Sequence, residues 1–132
     1  MRFLITLGEG VDFVLSSLDV MHGGEIFVPK IPSMTMPDLV RAMSPTAGVK
    51  VIGIRPGEKL HEMMISADDA RATVELADRY VIEPTFVEYP RKRFGPEDGA
   101  KPAEEGFCYS SDNNDDWLSA EGLLAMLEEK AG

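Results

Sequence analysis

An arginine and a glutamate at a predicted tight turn are the residues of this sequence best suited to bind a phosphorylated ligand. Arg55 and Glu58 flank Pro56-Gly57, and the β-branched run Lys50 to Ile54 before them predicts a strand. Pro56 favours extended backbone at Arg55 and then the start of a helix over Glu58 to Met64. A guanidinium is a planar fork of donors that fits phosphate oxygens, and a carboxylate accepts hydrogen bonds from ribose hydroxyls. Taken alone, this pattern is more often a solvated surface turn, so the choice depends on the surrounding sequence.

Two patterns that could hold a metal ion are incomplete. His61-Glu62 begins like the helix of a zinc protease, but Ile65 stands where the second histidine is required. Asp112 to Asp116 supplies oxygens at alternate positions, as a calcium loop does, but Trp117 stands where glycine is required. The sequence therefore predicts no metal site.

The acidic composition argues against nucleic acid and against membrane surfaces as partners. The chain has 132 residues and a formal net charge of −10, whereas both partners favour basic proteins. The basic and aromatic segment Tyr89 to Phe94 is predicted to be a solvated loop that pairs with the acidic C-terminal tail. No apolar run approaches the roughly 20 residues of a membrane span. The lone Cys108 excludes an internal disulfide and favours a cytoplasmic protein, with the thiol as a packing group.

Helices and strands are predicted to alternate along the chain, which indicates an α/β fold with one modest core. Residues 85–106 are rich in proline, glycine and charge and are predicted to form a flexible loop. The expected elements are a helix opened by Thr6 and Glu9 whose Val11, Val14, Leu15 and Leu18 face the core, a strand over Glu25 to Val28, a helix capped by Thr35, the strand Lys50 to Ile54, a short helix over Ala67 to Thr73, a strand over Arg79 to Glu83, and a last helix capped by Ser119 that buries Leu123, Leu124 and Leu127.

Three motifs occur in an order that resembles a known family. They are residues 23–34 (GGEIFVPKIPSM), residues 51–71 (VIGIRPGEKLHEMMISADDAR) and residues 105–119 (EGFCYSSDNNDDWLS). The chain resembles the C-terminal, substrate-binding part of inverting UDP-N-acetylglucosamine 4,6-dehydratases, which belong to the extended short-chain dehydrogenase/reductase superfamily and serve polysaccharide biosynthesis. The resemblance implies the C-terminal portion of an extended Rossmann-type NAD(P)-dependent sugar dehydratase or epimerase, with its small α/β substrate domain.

The resemblance assigns roles to four residues of this sequence. Arg2 and Arg55 would hold the UDP diphosphate, Glu58 would bind the uridine ribose, and Met34 would lie near the nucleotide. Arg2 is expected to fray because it lies next to the N-terminus.

Catalytic groups of the family are missing from this sequence. In the family, NADP takes a hydride from the sugar C4, water leaves across C5 and C6, and the hydride returns to C6 with inversion at C5. Gly8 and Gly10 form only Gly-x-Gly and not a dinucleotide loop, and Tyr80, Tyr89 and Tyr109 are not followed by a lysine at the fourth position. We therefore predict that this chain holds no cofactor and is not a catalyst by itself, although the family is one of NADP-dependent lyases.

The expected partners are a UDP-sugar and either a missing N-terminal Rossmann half or further copies of the chain, so a homo-oligomer is predicted. Two alternatives remain open, namely a non-catalytic nucleotide-sugar-binding module and a structural remnant that self-associates. The expected division of the chain is residues 1–32 as the last helix and strand of the Rossmann part, residues 33–84 as the substrate-binding part, residues 85–106 as the flexible loop, and residues 107–132 as a tail with a helix.

Overall fold

A computed structural model describes residues 1–128 and groups their helices and strands into two units. The first unit contains Met1–Thr6, Ile31–Glu62 and the described residues from Ser110 onward, and the second contains Leu7–Lys30 and Met63–Tyr109. Both units combine helices and strands, which confirms the expected α/β class. The elements are strands β1 (Arg2–Phe3), β2 (Ile26–Pro29), β3 (Ser33–Met34), β4 (Met63–Ile65), β5 (Thr73–Glu75), β6 (Arg79–Ile82), β7 (Lys101–Pro102) and β8 (Tyr109–Ser110), helices α1 (Leu7–Val20), α2 (Met36–Met43) and α3 (Ala120–Glu128), and 3-10 helices Asp69–Ala72 and Pro96–Asp98.

The first unit contains one antiparallel strand pair and two helices whose caps the sequence predicts. Strand β1 pairs antiparallel with β3, and this register places Arg2 opposite Met34. The side chain of Thr35 caps α2 by accepting a hydrogen bond from the Asp38 amide at 3.2 Å. Helix α2 packs against α3, which begins after Ser119. The Ser119 hydroxyl accepts a hydrogen bond from the Gly122 amide at 3.0 Å, which confirms the predicted cap.

The buried face of α3 is narrower than its sequence predicts. Leu123 is buried, but Leu124 and Leu127 remain 44% and 48% exposed. The three leucines lie within one arc of about 100° on the helix, and the described residues bury only the Leu123 part of that arc. The predicted three-leucine core face is therefore wrong for two of its members.

Two elements predicted around the Arg55 turn are absent from the structure. Residues Lys50 to Ile54 form no strand, and Gly53 has a φ of 81°, which interrupts extended backbone. Val51 is 89% exposed, and no strand in the described part of the chain pairs with this run. A helix over Glu58 to Met64 is also wrong, because the chain there is irregular until β4. Strand propensity expresses itself only where a partner strand is available.

A four-stranded antiparallel sheet forms the centre of the second unit, with strand order β2-β6-β5-β7. Val28 on β2 and Val81 on β6 are buried, as is Ile65 on β4. The predicted strands over 25–28 and 79–83 are therefore confirmed. The short helix predicted after Ser66 is present as the 3-10 turn Asp69–Ala72. No helix within residues 1–128 is long and apolar enough to cross a membrane.

The apolar face of α1 points away from the protein in this structure. Leu7, Val11, Val14, Leu15 and Leu18 lie on one side of the helix and are all between 48% and 83% exposed. The prediction that this face lies against a core is therefore wrong for this chain. An apolar stripe with no described residue to cover it is a surface available for association.

The opposite side of α1 is fixed by Arg79 on β6. The guanidinium donates hydrogen bonds to the hydroxyls of Ser16 and Ser17, both at 2.8 Å, and lies 4.6 Å from the centre of the Phe13 ring. It also bonds both carboxylate oxygens of Asp78, and these bonds hold the pKa of Asp78 below its ordinary value. Polar contacts on this side therefore decide which face of the helix is turned inward.

A buried ion cluster holds the loop after β6. The Arg91 guanidinium bonds the carboxylates of Glu25 and Glu83, and all three side chains are at most 6% exposed. Glu83 also accepts a hydrogen bond from the Phe94 amide at 2.8 Å. The predicted pairing of this basic segment with the C-terminal tail is therefore wrong for Arg91. Its partners precede it in the chain, and the nearby Lys92 pairs with Asp98.

Acid is expected to destabilise the second unit through Glu25. Burial opposes ionisation of this carboxylate, but the backbone amide of His22 and the charge of Arg91 hold its pKa below the ordinary 4.5. A pKa lowered by folding contributes stability above the unfolded value, and this contribution is lost as the pH falls through the folded value. The free energy of unfolding can be measured by urea denaturation between pH 7 and pH 3. Below about pH 4.5 it should fall more steeply with falling pH for the wild type than for Glu25→Gln. Equal slopes for the two proteins would contradict the assignment.

Candidate functional site

The Arg55 to Glu58 turn is closed by two reciprocal hydrogen bonds in the first unit. The Glu58 amide donates to the Arg55 carbonyl at 3.0 Å, and the Arg55 amide donates to Oε2 of the Glu58 carboxylate, also at 3.0 Å. Pro56 and Gly57 occupy the two central positions, and Gly57 has a φ of 80°. This is the geometry of a type II turn, in which glycine is favoured at the third position because φ is positive. The turn therefore follows from the four residues themselves.

The turn leaves two polar groups directed to solvent. Arg55 and Glu58 are both exposed. The Arg55 guanidinium makes no hydrogen bond or ion pair with any residue between 1 and 128, and Glu58 uses only Oε2 within the same range. A guanidinium and a carboxylate oxygen without described partners are thus both exposed on the same closed loop. Such a pair can bind an anion and a neighbouring hydroxyl group.

Arg2 fixes the chain immediately after this turn. Its guanidinium donates to the carbonyls of Lys59 at 2.8 Å and Leu60 at 3.2 Å, and its Nε lies 3.7 Å from Oε1 of Glu62. The expected fraying of Arg2 is not observed, because these contacts and the β1–β3 pairing hold it in place. The structure thus joins Arg2 to the segment that carries Arg55 and Glu58.

Two polar residues near the C-terminus support the same region, and the sequence did not single them out. Ser111 is fully buried, accepts a hydrogen bond from the Glu62 amide at 2.9 Å and donates to the Met1 carbonyl at 3.1 Å. Asn114 donates to the Ile31 carbonyl at 2.8 Å and to the Ser33 hydroxyl at 3.0 Å. The only available signal was the density of short polar side chains between 110 and 116, a composition typical of side chains that bond to backbone.

Met34 lies beneath the site and not on its surface. It is 3% exposed and pairs with Arg2 across the β1–β3 ladder. Hydrogen bonds from Asn114 hold the strand that carries it. The four residues assigned by the resemblance are therefore in one unit, with Arg2 and Met34 behind and Arg55 and Glu58 at the surface.

The described residues contain no cluster of metal-ligating side chains, and Gly8 and Gly10 form no dinucleotide loop. Within residues 1–128 no group of three or more histidine, cysteine, aspartate or glutamate side chains could hold a metal ion. His61 instead lies 3.4 Å from the Asp112 carboxylate, whose pKa is lowered by a hydrogen bond from Ser110 and by the charge of His61. Gly8 and Gly10 lie inside α1, so they cannot form the strand-to-helix turn that binds a pyrophosphate.

The sequence is similar to proteins of nucleotide-sugar metabolism. The family described as "Polysaccharide biosynthesis protein" matches residues 1–84. The UDP-N-acetylglucosamine 4,6-dehydratase (inverting) of Campylobacter jejuni subsp. jejuni serotype O:2 is 49% identical, over 99% of this chain and 40% of that enzyme. The UDP-glucose 4-epimerase of Rickettsia canadensis is 35% identical, over 61% of this chain and 25% of that protein. These similarities confirm the resemblance inferred from the three motifs.

The fold is similar to that of a solved structure. Pen from Bacillus thuringiensis superposes with a TM-score of 0.74 and 27% identity, over 98% of this chain and 38% of that chain. The chain thus spans about 40% of the length of the dehydratase relatives that it matches.

Proposed function

The chain belongs to the polysaccharide biosynthesis protein family, and from this premise we propose that it forms the UDP-sugar-binding part of an inverting UDP-N-acetylglucosamine 4,6-dehydratase. The observation that carries the proposal is the free Arg55 guanidinium beside a free oxygen of Glu58 on a hydrogen-bonded turn. Four of the seven arginines of this acidic chain pair with a carboxylate in the described residues, whereas Arg55 does not. A guanidinium held free is prepared for an anion supplied from outside.

In the proposed complex the two surface side chains bind different parts of UDP. The Arg55 fork holds the diphosphate, while the unused carboxylate oxygen of Glu58 accepts a hydrogen bond from a ribose hydroxyl. Because Oε2 of Glu58 already bonds the Arg55 amide, the carboxylate is oriented before the ligand arrives. A pre-oriented group loses less conformational freedom on binding, which strengthens the complex.

In this proposal Arg2 and Met34 act mainly by fixing the main chain next to the site. Three hydrogen bonds of the Arg2 guanidinium go to main-chain carbonyls, so in this arrangement only part of its donor capacity is open to a diphosphate. Met34 is buried and keeps β1 in register with β3. We propose that Arg2 orients the turn and contributes a long-range positive charge to diphosphate binding.

We propose that the chain does not perform the dehydratase reaction alone. Binding energy from a remote UDP group can orient a hexose for chemistry that other residues carry out. We further propose that the protein acts in the cytoplasm, which the single cysteine and the acidic composition support.

Replacing Arg55 by alanine is expected to weaken UDP binding at least about tenfold, because a charge-assisted hydrogen bond to phosphate is lost. The amide spectrum of the isotope-labelled chain, titrated with UDP-N-acetylglucosamine, measures both the affinity and the position of the ligand. Wild-type amide peaks of residues 55–60 should shift, and UDP alone should shift the same peaks. Stability should not change, since the exposed Arg55 side chain makes no hydrogen bond or ion pair with a described residue.

Arg41→Ala is the matched control for this experiment. Arg41 is also an exposed arginine of the first unit, but it pairs with Asp38 on α2. Its removal should leave UDP affinity within about twofold. The proposal fails if both alanine variants bind UDP equally well, or if saturating UDP leaves the peaks of residues 55–60 unmoved.

A further inference from the structure

A cavity of about 550 Å³ in the second unit has two arginines in its wall, Arg71 and Arg93. Both side chains are exposed, and neither forms a hydrogen bond or ion pair with another residue in the described range 1–128. The volume lies within the range of roughly 300–1,000 Å³ that is common for small-molecule sites. The cavity therefore combines enough volume for a small molecule with two guanidinium groups that have no partner among the described residues.

Three of the seven arginines of this chain have no carboxylate partner among the described residues. Acidic residues outnumber basic ones by 23 to 13, so carboxylate partners are abundant. Four of the seven arginines have such partners, namely Arg2, Arg41, Arg79 and Arg91. Of the other three, Arg55 lies on the turn already described. The remaining two line one and the same cavity.

Neither carboxylate in the cavity wall pairs with Arg71 or Arg93. Both oxygens of Glu83 are engaged within the buried cluster, one by the Arg91 guanidinium and the other by the Phe94 amide. Asp68 is exposed and makes no ion pair with the described residues. Arg71 and Arg93 therefore remain without a described partner, beside one solvated carboxylate.

Part of the wall is apolar and suits a carbon skeleton. Val74, Pro84, Pro102 and Phe94 contribute this surface, and two threonines, Thr73 and Thr85, also line the cavity. A few convergent polar groups in a mostly apolar cavity is the usual composition of a site for a small organic molecule. Guanidinium forks match phosphate oxygens particularly well.

We propose that this cavity binds a small phosphorylated molecule, with Arg71 and Arg93 holding its phosphoryl group and the apolar wall contacting its carbon skeleton. The site uses residues of the second unit only, so it is separate from the Arg55 turn of the first unit. It is a second anion site and does not depend on UDP binding at the turn.

Titration of the labelled chain with inorganic phosphate and with pyrophosphate, at constant ionic strength, tests the proposal. The amide peaks of residues 71–74 and 93–95 should shift with saturation, and Arg71→Gln or Arg93→Gln should each weaken binding on the order of tenfold. Because both side chains are exposed, the glutamine variants should keep the fold, which the dispersion of their spectra verifies. A phenyl phosphate titration then tests the apolar wall, since its ring should make it bind more tightly than inorganic phosphate.

Arg55→Gln and citrate provide the matched controls. Arg55→Gln should leave the shifts of residues 71–74 unchanged, which separates this site from the proposed UDP site. The inference is overturned if phosphate and pyrophosphate leave those peaks unmoved, or if the two glutamine variants bind as the wild type does. It is also overturned if citrate binds as tightly with the same dependence on both arginines, because the cavity would then not select a phosphoryl group.

Discussion

Arg91→Met is expected to lower the free energy of unfolding by about 3–5 kcal/mol, the largest effect of any single substitution considered for this chain. The variant leaves the carboxylates of Glu25 and Glu83 buried without their shared cation, and both side chains are at most 6% exposed. An unpaired buried charge cannot be stabilised by water, so the folded state rises in energy. Because a domain of this size is stable by only about 5–15 kcal/mol, urea denaturation should show a large shift of the midpoint.

Two further sets of variants test whether the effect comes from the buried ion cluster and not from the loss of any positive charge. Lys92→Met removes the neighbouring cation, which is 51% exposed, and should leave the urea midpoint nearly unchanged, because an exposed ion pair contributes little to stability. Adding Glu25→Gln and Glu83→Gln to Arg91→Met removes the unpaired charges and should restore much of the stability. If Lys92→Met proves as damaging as Arg91→Met, the buried cluster is not what holds this loop.

The second large effect is expected in the association state of the chain. We propose that the exposed face of α1, formed by Leu7, Val11, Val14, Leu15 and Leu18, pairs with the same face of another copy. Identical apolar faces can close a two-fold dimer, because each buries the other. Sedimentation over rising concentration should therefore give an average mass above the 14.5 kDa of one chain.

Leu15→Gln combined with Leu18→Gln should return the chain to a monomer, because both side chains are more than half exposed in the centre of this face. Phe86→Gln is the matched control, since Phe86 is 92% exposed and lies outside α1. A monomeric wild type at every concentration would refute the pairing. So would a dimer that dissociates in the Phe86 variant and persists in the double variant.

Local signals in the sequence were reliable where the interacting groups are close along the chain. Thr35 and Ser119 cap the helices predicted from them, and Pro56-Gly57 closes the turn that carries Arg55 and Glu58. Such features involve only a few consecutive residues, so their stability does not depend on distant contacts.

Elements that depend on distant partners were less predictable. The run Lys50 to Ile54 has strand propensity, yet it is exposed and unpaired within the described chain. The apolar stripe of α1 has the period of a buried face, yet Arg79 draws the opposite side inward through Ser16 and Ser17. Periodicity shows which residues share a face, but it does not show what covers that face.

The sequence by itself determined the family, the α/β class, the helix caps and the turn at Arg55, because these depend on residue type and short spacing. Only the tertiary structure decided the roles of Ser111, Asn114 and Arg91. The first two bond main-chain groups at least 49 residues away, and Arg91 reaches back 66 residues to Glu25. Whether a polar side chain is solvated or buried against a partner depends on the three-dimensional path of the whole chain, and no local pattern encodes it.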